Sequence, residues 1–193
     1  MKKKVLIILG HPDKTSLCGA LAASYRQGAQ EAGADIREIF LGDLQFDPVL
    51  RRGYKEIQEL EPDLLTAQES IKWADHLVWV YPIWWGTMPA LLKGFLDRTF
   101  LPGFAFKYRE NSPWWDKYLT GRSARMIVTM DAPTIYDRLM YFGGGRRTMK
   151  NAVLKFCGVK PVGVTAFGSV KSSDAAKRRK WLTTVNELGS RLK

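Results

Sequence analysis

Five consecutive aliphatic residues, Val5 to Leu9, follow three lysines and stop at Gly10. An apolar run without polar interruption suits a strand covered on both faces, as in a parallel sheet flanked by helices. From Leu17 to Ala32 the spacing becomes helical. Leu17, Ala20, Leu21 and Tyr25 fall on one face, and Gly33 stops the segment. Ala34 to Leu41 alternates as a second strand, and a loop with Asp43, Asp47 and Pro48 follows. A charged, helix-favouring region between Tyr54 and Trp73 then leads into the most apolar strand, Leu77 to Tyr81, closed by Pro82. Met88 to Phe100 predicts a helix whose stripe is Leu91, Leu92, Phe95 and Leu96, with Lys93, Asp97 and Arg98 left free. Leu101 to Thr120, rich in aromatics, Gly and Pro, is the least regular stretch. A fourth strand is expected at Ser123 to Met130 and a fifth at Gly163 to Gly168, with the glycines Gly143 to Gly145 and a helix ending near Gly158 between them. The last helix runs from Ser173 to about Arg191.

Strand and helix therefore alternate five times without an internal repeat, which is the pattern of one doubly wound α/β domain over residues 1–193. A hydrophobic share of 46% and a charged share of 25% exclude a disordered chain. The longest apolar run, Leu77 to Leu92, is broken by Pro82, Gly86 and Pro89, so the chain is not membrane-embedded. The Met-Lys-Lys-Lys start and the short apolar run after it do not form a secretory signal, and the expected location is cytoplasmic. Cys18 and Cys157 cannot supply a disulfide framework or a four-thiolate metal site; both are expected as reduced thiols, and no metal is expected.

In a doubly wound sheet the ligand site lies outside the carboxyl ends of the strands, where the winding reverses. The loop after the first strand runs from Gly10 to Gly19 and holds His11, Thr15, Ser16, Leu17 and Cys18. Hydroxyls at a helix start, beside unpaired N–H groups and the positive end of the helix dipole, suit a phosphate. The other reading is that Thr15 or Ser16 only caps the helix. Neither a Walker loop nor a Gly-x-Gly-x-x-Gly turn is present. The loop after the third strand reads Tyr81-Pro82-Ile83-Trp84-Trp85-Gly86-Thr87-Met88-Pro89. Adjacent tryptophans in an extended turn diverge, so either one lines a cleft or both plug the space above the sheet. Gly86 permits close approach of backbone to a planar ring.

The stretch from Tyr81 to Phe100 resembles the central motif of the NAD(P)H:quinone oxidoreductase family, whose fold is flavodoxin-like. The Gly10–Cys18 turn, with His11, Ser16 and Leu17, is similar to that family's flavin-phosphate loop, and Phe46-Asp47-Pro48 resembles a further family segment. The resemblance covers most of the chain from Val5 to about Thr129. It implies a five-stranded parallel sheet of order 2-1-3-4-5 with helices on both faces, and a bound flavin, FMN or FAD. The flavin phosphate would sit on His11, Thr15, Ser16, Leu17 and Cys18. The ring would rest against Pro82, Ile83, Trp84, Trp85 and Gly86, with Thr129, Met130 and Asp131 on its other side. The implied activity is hydride transfer from NAD(P)H through the flavin to a quinone-like acceptor, in a homodimer with the site at the subunit interface. The alternative is a flavin-binding regulatory subunit of a membrane transporter.

The chain departs from the family pattern after the fourth strand, where Thr129-Met130-Asp131-Ala132-Pro133-Thr134-Ile135-Tyr136 replaces paired threonines and glycines and only Thr129 matches. Tyr136 lies near a tyrosine that stabilises reduced flavin in some relatives, and it takes that catalytic role by resemblance. The histidine partner of that tyrosine has no counterpart, since the second histidine, His76, starts the third strand as a structural residue. The aromatics of Gly103–Tyr108 and Pro113-Trp114-Trp115 are expected to form a lid or dimer surface, or else a loop folded back over the sheet edge. The net charge of +11 comes from dispersed basic residues without a nucleic-acid motif, so no nucleic-acid partner is expected. The cluster Lys177 to Lys180 reads as a solvated helix face, and Arg146 and Arg147 are candidates for a 2′-phosphate of NADPH.

Overall fold

A computed structural model describes residues 2–192. Strand β1 (Lys4–Leu9) leads through the polar turn into α1 (Leu17–Glu31), then β2 (Asp35–Phe40) and a 3-10 turn at Leu41–Asp43. After a long loop come α2 (Pro62–Trp73), β3 (His76–Pro82) and α3 (Ala90–Thr99). A hairpin of β4 (Phe106–Tyr108) and β5 (Trp115–Lys117) precedes β6 (Ser123–Thr129). The chain ends with α4 (Thr134–Met140), α5 (Gly144–Arg147) running into a π-helical stretch at Thr148–Lys155, β7 (Val162–Phe167) and α6 (Ala175–Ser190).

The main sheet is wholly parallel with order β2-β1-β3-β6-β7. With the separate hairpin set aside, this is the second, first, third, fourth and fifth strand, as the family resemblance implies. The winding reverses between β1 and β3, so their carboxyl ends and that of β6 open onto one crevice. Successive strand residues point to opposite faces. Leu6, Ile8, Leu77, Trp79, Met126 and Val128 pack under α2, α3 and the π-helical stretch, whereas Val5, Ile7, Leu9, Val78, Val80 and Ile127 pack under α1 and α6.

Several local expectations are corrected. Tyr54–Leu60 is loop, because Pro62 sets the first turn of α2 and disfavours helix in the residue before it. On α1 the buried face is Cys18, Leu21, Ala22, Tyr25, Gly28 and Ala29, with Ala20 exposed and Leu17 half-buried. The irregular stretch from Leu101 to Thr120 contains the hairpin, and its aromatics divide. Trp115 stacks on Phe156 at 4.4 Å and donates Nε1–H to the Phe156 carbonyl at 2.9 Å, while Tyr108 and Trp114 stay exposed.

His76 is buried at the start of β3, its Nδ1 2.7 Å from the Ser123 hydroxyl. Burial, with Lys3 and Arg125 adding positive charge, pushes its pKa down from 6.5 to about 4. The unfolded chain therefore takes up this proton first. Stability present above pH 6.5 is lost as the pH falls toward 4. Urea midpoints measured between those pH values should drop for the native chain and drop less for His76→Asn; equal slopes would remove the assignment.

Candidate functional site

The turn after β1 is held by its own polar side chains. The Asp13 carboxylate accepts from the Thr15 N–H at 2.7 Å and the Thr15 hydroxyl at 2.8 Å, which holds its pKa below the ordinary value. The Ser16 hydroxyl donates to the Asp13 carbonyl at 2.7 Å and caps α1 by accepting from the Gly19 N–H at 3.3 Å. The Asp13 N–H donates to Nδ1 of His11 at 2.9 Å, which leaves Nε2 to carry the ring proton of neutral His11. An ion pair between Lys14 and Asp43 ties this turn to the 3-10 turn after β2. The first-turn N–H groups of Leu17 and Cys18 have no partner within the helix, and they gather the positive end of its dipole.

The turn after β3 is a tight reversal. Trp84 and Thr87 exchange backbone hydrogen bonds at 2.8 and 3.0 Å, with Trp85 at φ 50° and Gly86 at φ 75°. A left-handed tryptophan is strained, because its Cβ crowds the following carbonyl. The turn is anchored at its base by Ile83 N–H on the Thr129 carbonyl at 2.7 Å. His11 meets Trp84 edge to face at 5.4 Å. Trp85 is fully exposed, at 103% of its reference area, and Trp84 is 44% exposed; neither plugs the core.

Behind both turns, the Cys18 thiol lies 3.2 Å from the Thr129 hydroxyl and joins α1 to the end of β6. Burial raises its pKa to about 11 despite that hydrogen bond, so it is a packed thiol and no nucleophile. The loop after β6 is tied to the chain beyond β7: Met130 N–H donates to the Phe167 carbonyl at 2.9 Å, and the Asp131 carboxylate accepts from the Lys171 N–H at 3.1 Å.

These elements enclose a cavity of about 530 Å³, within the range of small-molecule and cofactor sites. Of the residues singled out above, His11, Ser16, Leu17, Cys18, Pro82, Ile83, Trp84, Trp85, Gly86, Thr129, Met130 and Asp131 line it. Thr15 is not on the wall, because Asp13 takes up both its N–H and its hydroxyl. Tyr136 is also off the wall, because α4 starts directly after Pro133 and carries it away on the first turn. Its ring instead packs edge to face on Tyr141 at 5.6 Å, and a hydrogen bond to Tyr136 holds the Tyr141 hydroxyl above its ordinary pKa. Tyr141 is the tyrosine that lines the cavity, together with Ala132, Asp137 and Val170. Nothing in the sequence distinguished Asp137 or Val170 as residues of the site. Arg146 is engaged by Asp137, at 2.6 Å.

Of the three glycines from Gly143 to Gly145, Gly143 and Gly145 have a packing role, while a Cβ on Gly144 would meet open space. A Cβ on Gly145 would run into the Gly86 carbonyl, so the α5 start and the tryptophan turn touch through bare backbone. Gly145→Ala should displace the turn and weaken ligand binding in the cavity by about tenfold, the cost of about 1.4 kcal/mol of lost contact. Titration of the variant with FMN measures this, and an unchanged affinity would show that the turn does not need that support.

A family model described as flavodoxin-like fold matches residues 3–188. Among curated proteins, the ribosyldihydronicotinamide dehydrogenase-like protein traD of Penicillium crustosum is 33% identical over 153 residues, covering 66% of this chain and 57% of its own. An uncharacterized NAD(P)H oxidoreductase of Haemophilus influenzae is 28% identical over 183 residues, covering 90% and 88%. The chain thus spans little more than half of the first relative and most of the second. Among solved structures, Smu.1420 from Streptococcus mutans UA159 superposes with a TM-score of 0.82 at 29% identity, over 97% of this chain and 99% of its own. An NAD(P)H:quinone oxidoreductase from Methanothermobacter marburgensis shares the fold with a TM-score of 0.84 at 24% identity, over the whole of both chains.

Proposed function

The chain belongs to the flavodoxin-like fold family, and we propose that it is a flavin-dependent NAD(P)H oxidoreductase that delivers electrons to a quinone or similar planar acceptor. The observation that carries this reading is one cavity that joins the start of α1 to a double-tryptophan turn at the point where the sheet reverses. Leu17 and Cys18 supply N–H donors and a helix dipole for a phosphate, and Nε2–H of His11 is a side-chain donor on the cavity wall left for it. The Ser16 hydroxyl serves the phosphate indirectly, by fixing the first turn of the helix. Trp84 and Trp85 offer flat apolar surface for a ring system, and the backbone of Ile83 to Gly86 runs beside them.

A flavin held here would supply the hydride chemistry between NAD(P)H and the acceptor, so the hard chemistry would be the cofactor's. The protein's share is to hold the ring against the tryptophan turn, to exclude water with Trp84, Trp85, Met130 and Val170, and to order the loop that carries Tyr141. Tyr136 acts through its hydrogen bond to Tyr141. The exposed aromatics Trp85 and Tyr141 of the wall, with Phe142 beside them in an adjoining hollow, fit a site completed by a second copy of the chain in a homodimer. Several relatives carry oxidoreductase names, and the comparisons lend no support to the transporter-subunit reading. Among the described residues no helix is long and apolar enough to cross a membrane.

The test is an absorbance spectrum of the purified protein, release and identification of any flavin, and anaerobic addition of NADPH. A flavin spectrum that bleaches on addition, with recovery when a quinone is added, is the expected result and distinguishes FMN from FAD. Protein that takes up neither flavin on reconstitution would sink the proposal.

A further inference from the structure

Asp137 is an acidic residue that the resemblance did not assign, yet it sits in the wall of the cavity at the sheet's reversal point at 3% exposure. Nε and Nη2 of Arg146 both donate to its Oδ2, at 3.0 and 2.6 Å. Its other oxygen, Oδ1, makes no hydrogen bond within the described residues. The same residue also organises backbone: its carbonyl accepts from the Tyr141 N–H at 3.2 Å and the Gly143 N–H at 2.9 Å. Arg146 lies close over Gly143, where a Cβ would come within 3.0 Å of Nη2, and Gly143 holds the left-handed conformation that starts α5. One ion pair thus closes the segment 137–146, which carries Tyr141 to the cavity and rests Gly145 on the tryptophan turn.

We infer that Asp137 and Arg146 are a charge-setting and positioning pair for the ring bound in this cavity. This inference rests on the proposed function. A single carboxylate in a cavity wall opposes negative charge on a neighbouring ligand, and a single guanidinium favours it, most strongly where water is scarce. Reduction places electrons on the ring, so the pair acts on the preference of the site for the reduced over the oxidised form. Arg146 does not itself line the cavity; with both charges present it offsets Asp137, and the pair adds little net field to a wall that also carries Asp131. With Arg146 gone, the bare carboxylate disfavours the reduced form; with Asp137 gone, the bare guanidinium favours it. A purely structural pair predicts a different pattern, because loss of either partner would loosen the same loop and change both variants alike.

The experiment measures the dissociation constants of oxidised and reduced FMN for the native protein, Asp137→Asn, Arg146→Gln and the double variant, with dye-linked anaerobic titration of the bound potential. The expected result is a potential raised in Asp137→Asn, lowered in Arg146→Gln and returned toward the native value in the double variant. A tenfold change in the ratio of the two constants corresponds to about 30 mV for a two-electron couple. Equal potentials in all four proteins, or shifts of the same sign in both single variants, overturn the inference. If one single variant does not fold, Arg146→Lys keeps the charge with fewer converging donors. It should then hold the native potential, and a lowered potential in it would equally overturn the inference. Failure of the native protein to bind FMN would instead strike the functional proposal, so the two failures are distinguishable.

Discussion

Replacing Trp84 and Trp85 together with alanine is expected to weaken flavin binding by about 30-fold or more, since stacking of a ring on one aromatic side chain contributes about 1–3 kcal/mol. Folding stability should change little by comparison. Trp85 is fully exposed, and the contact recorded for the Trp84 ring is the edge-to-face one with His11, itself at the cavity. The two residues separate further on their own. Trp85 adopts a left-handed backbone at φ 50°, which costs a non-glycine residue about 1–2 kcal/mol. Trp85→Gly should therefore raise the urea midpoint slightly while it lowers flavin affinity. Opposite signs from one substitution mark strain kept for function. Fluorescence titration with FMN and urea unfolding of the same samples decide the matter. Unchanged flavin affinity together with collapsed stability would mean that the tryptophans hold the fold and not a ligand.

The largest effect on stability is expected at Arg98. Its side chain is completely buried on α3, yet it carries a charge. Nη1 donates to the Asp47 carbonyl at 2.5 Å and to Glu61 Oε1 at 3.1 Å, and Nη2 donates to the Glu59 carbonyl at 2.8 Å and to Glu61 Oε2 at 2.9 Å. Burial works against ionisation of Glu61, but the Asp47 N–H at 3.0 Å and Arg98 outweigh it and keep its pKa below the ordinary value. Arg98 thereby pins both ends of the long loop between Asp47 and Glu61, and that loop has no regular structure of its own. Arg98→Leu removes the donor of two carbonyls and leaves the Glu61 carboxylate with only the Asp47 N–H, and breaking a buried pair in this way costs about 3–5 kcal/mol. Glu61→Gln keeps an acceptor and should cost much less. Urea unfolding of both variants gives the comparison, and equal losses would show that the charge on Glu61, not the lattice of carbonyls, is what Arg98 serves.

Much of this was readable along the chain because the signals are local. A run such as Val5 to Leu9 has one structural solution that hides every side chain, and a proline or glycine beside such a run marks where it ends. The loops carrying His11, Ser16 and the double tryptophan were recognisable for the same reason, since unusual residue types stand next to strand ends. Thr15 was a plausible ligand from its type alone. Whether its hydroxyl was free depended on Asp13, two residues away, and that geometry appears only once the turn is built.

Tyr136 and Tyr141 illustrate the same limit. Both are tyrosines in one short segment, and the helical turn beginning after Pro133 decides which of them reaches the cavity. The aromatic hairpin was read as irregular because each strand is three residues long, too short for a period to register.

The alternation of strand and helix, the sheet class and the loops in which ligand chemistry is concentrated are all encoded locally along the chain. Each follows from the hydropathy and conformational limits of neighbouring residues. Which polar groups remain free, that Asp137 of the cavity wall pairs with Arg146 outside it, and that Arg98 binds a loop about 40 to 50 residues away in sequence were settled by long-range folding alone. Those pairings depend on how the chain folds back on itself, and side chains far apart in sequence carry no local pattern that announces their contact.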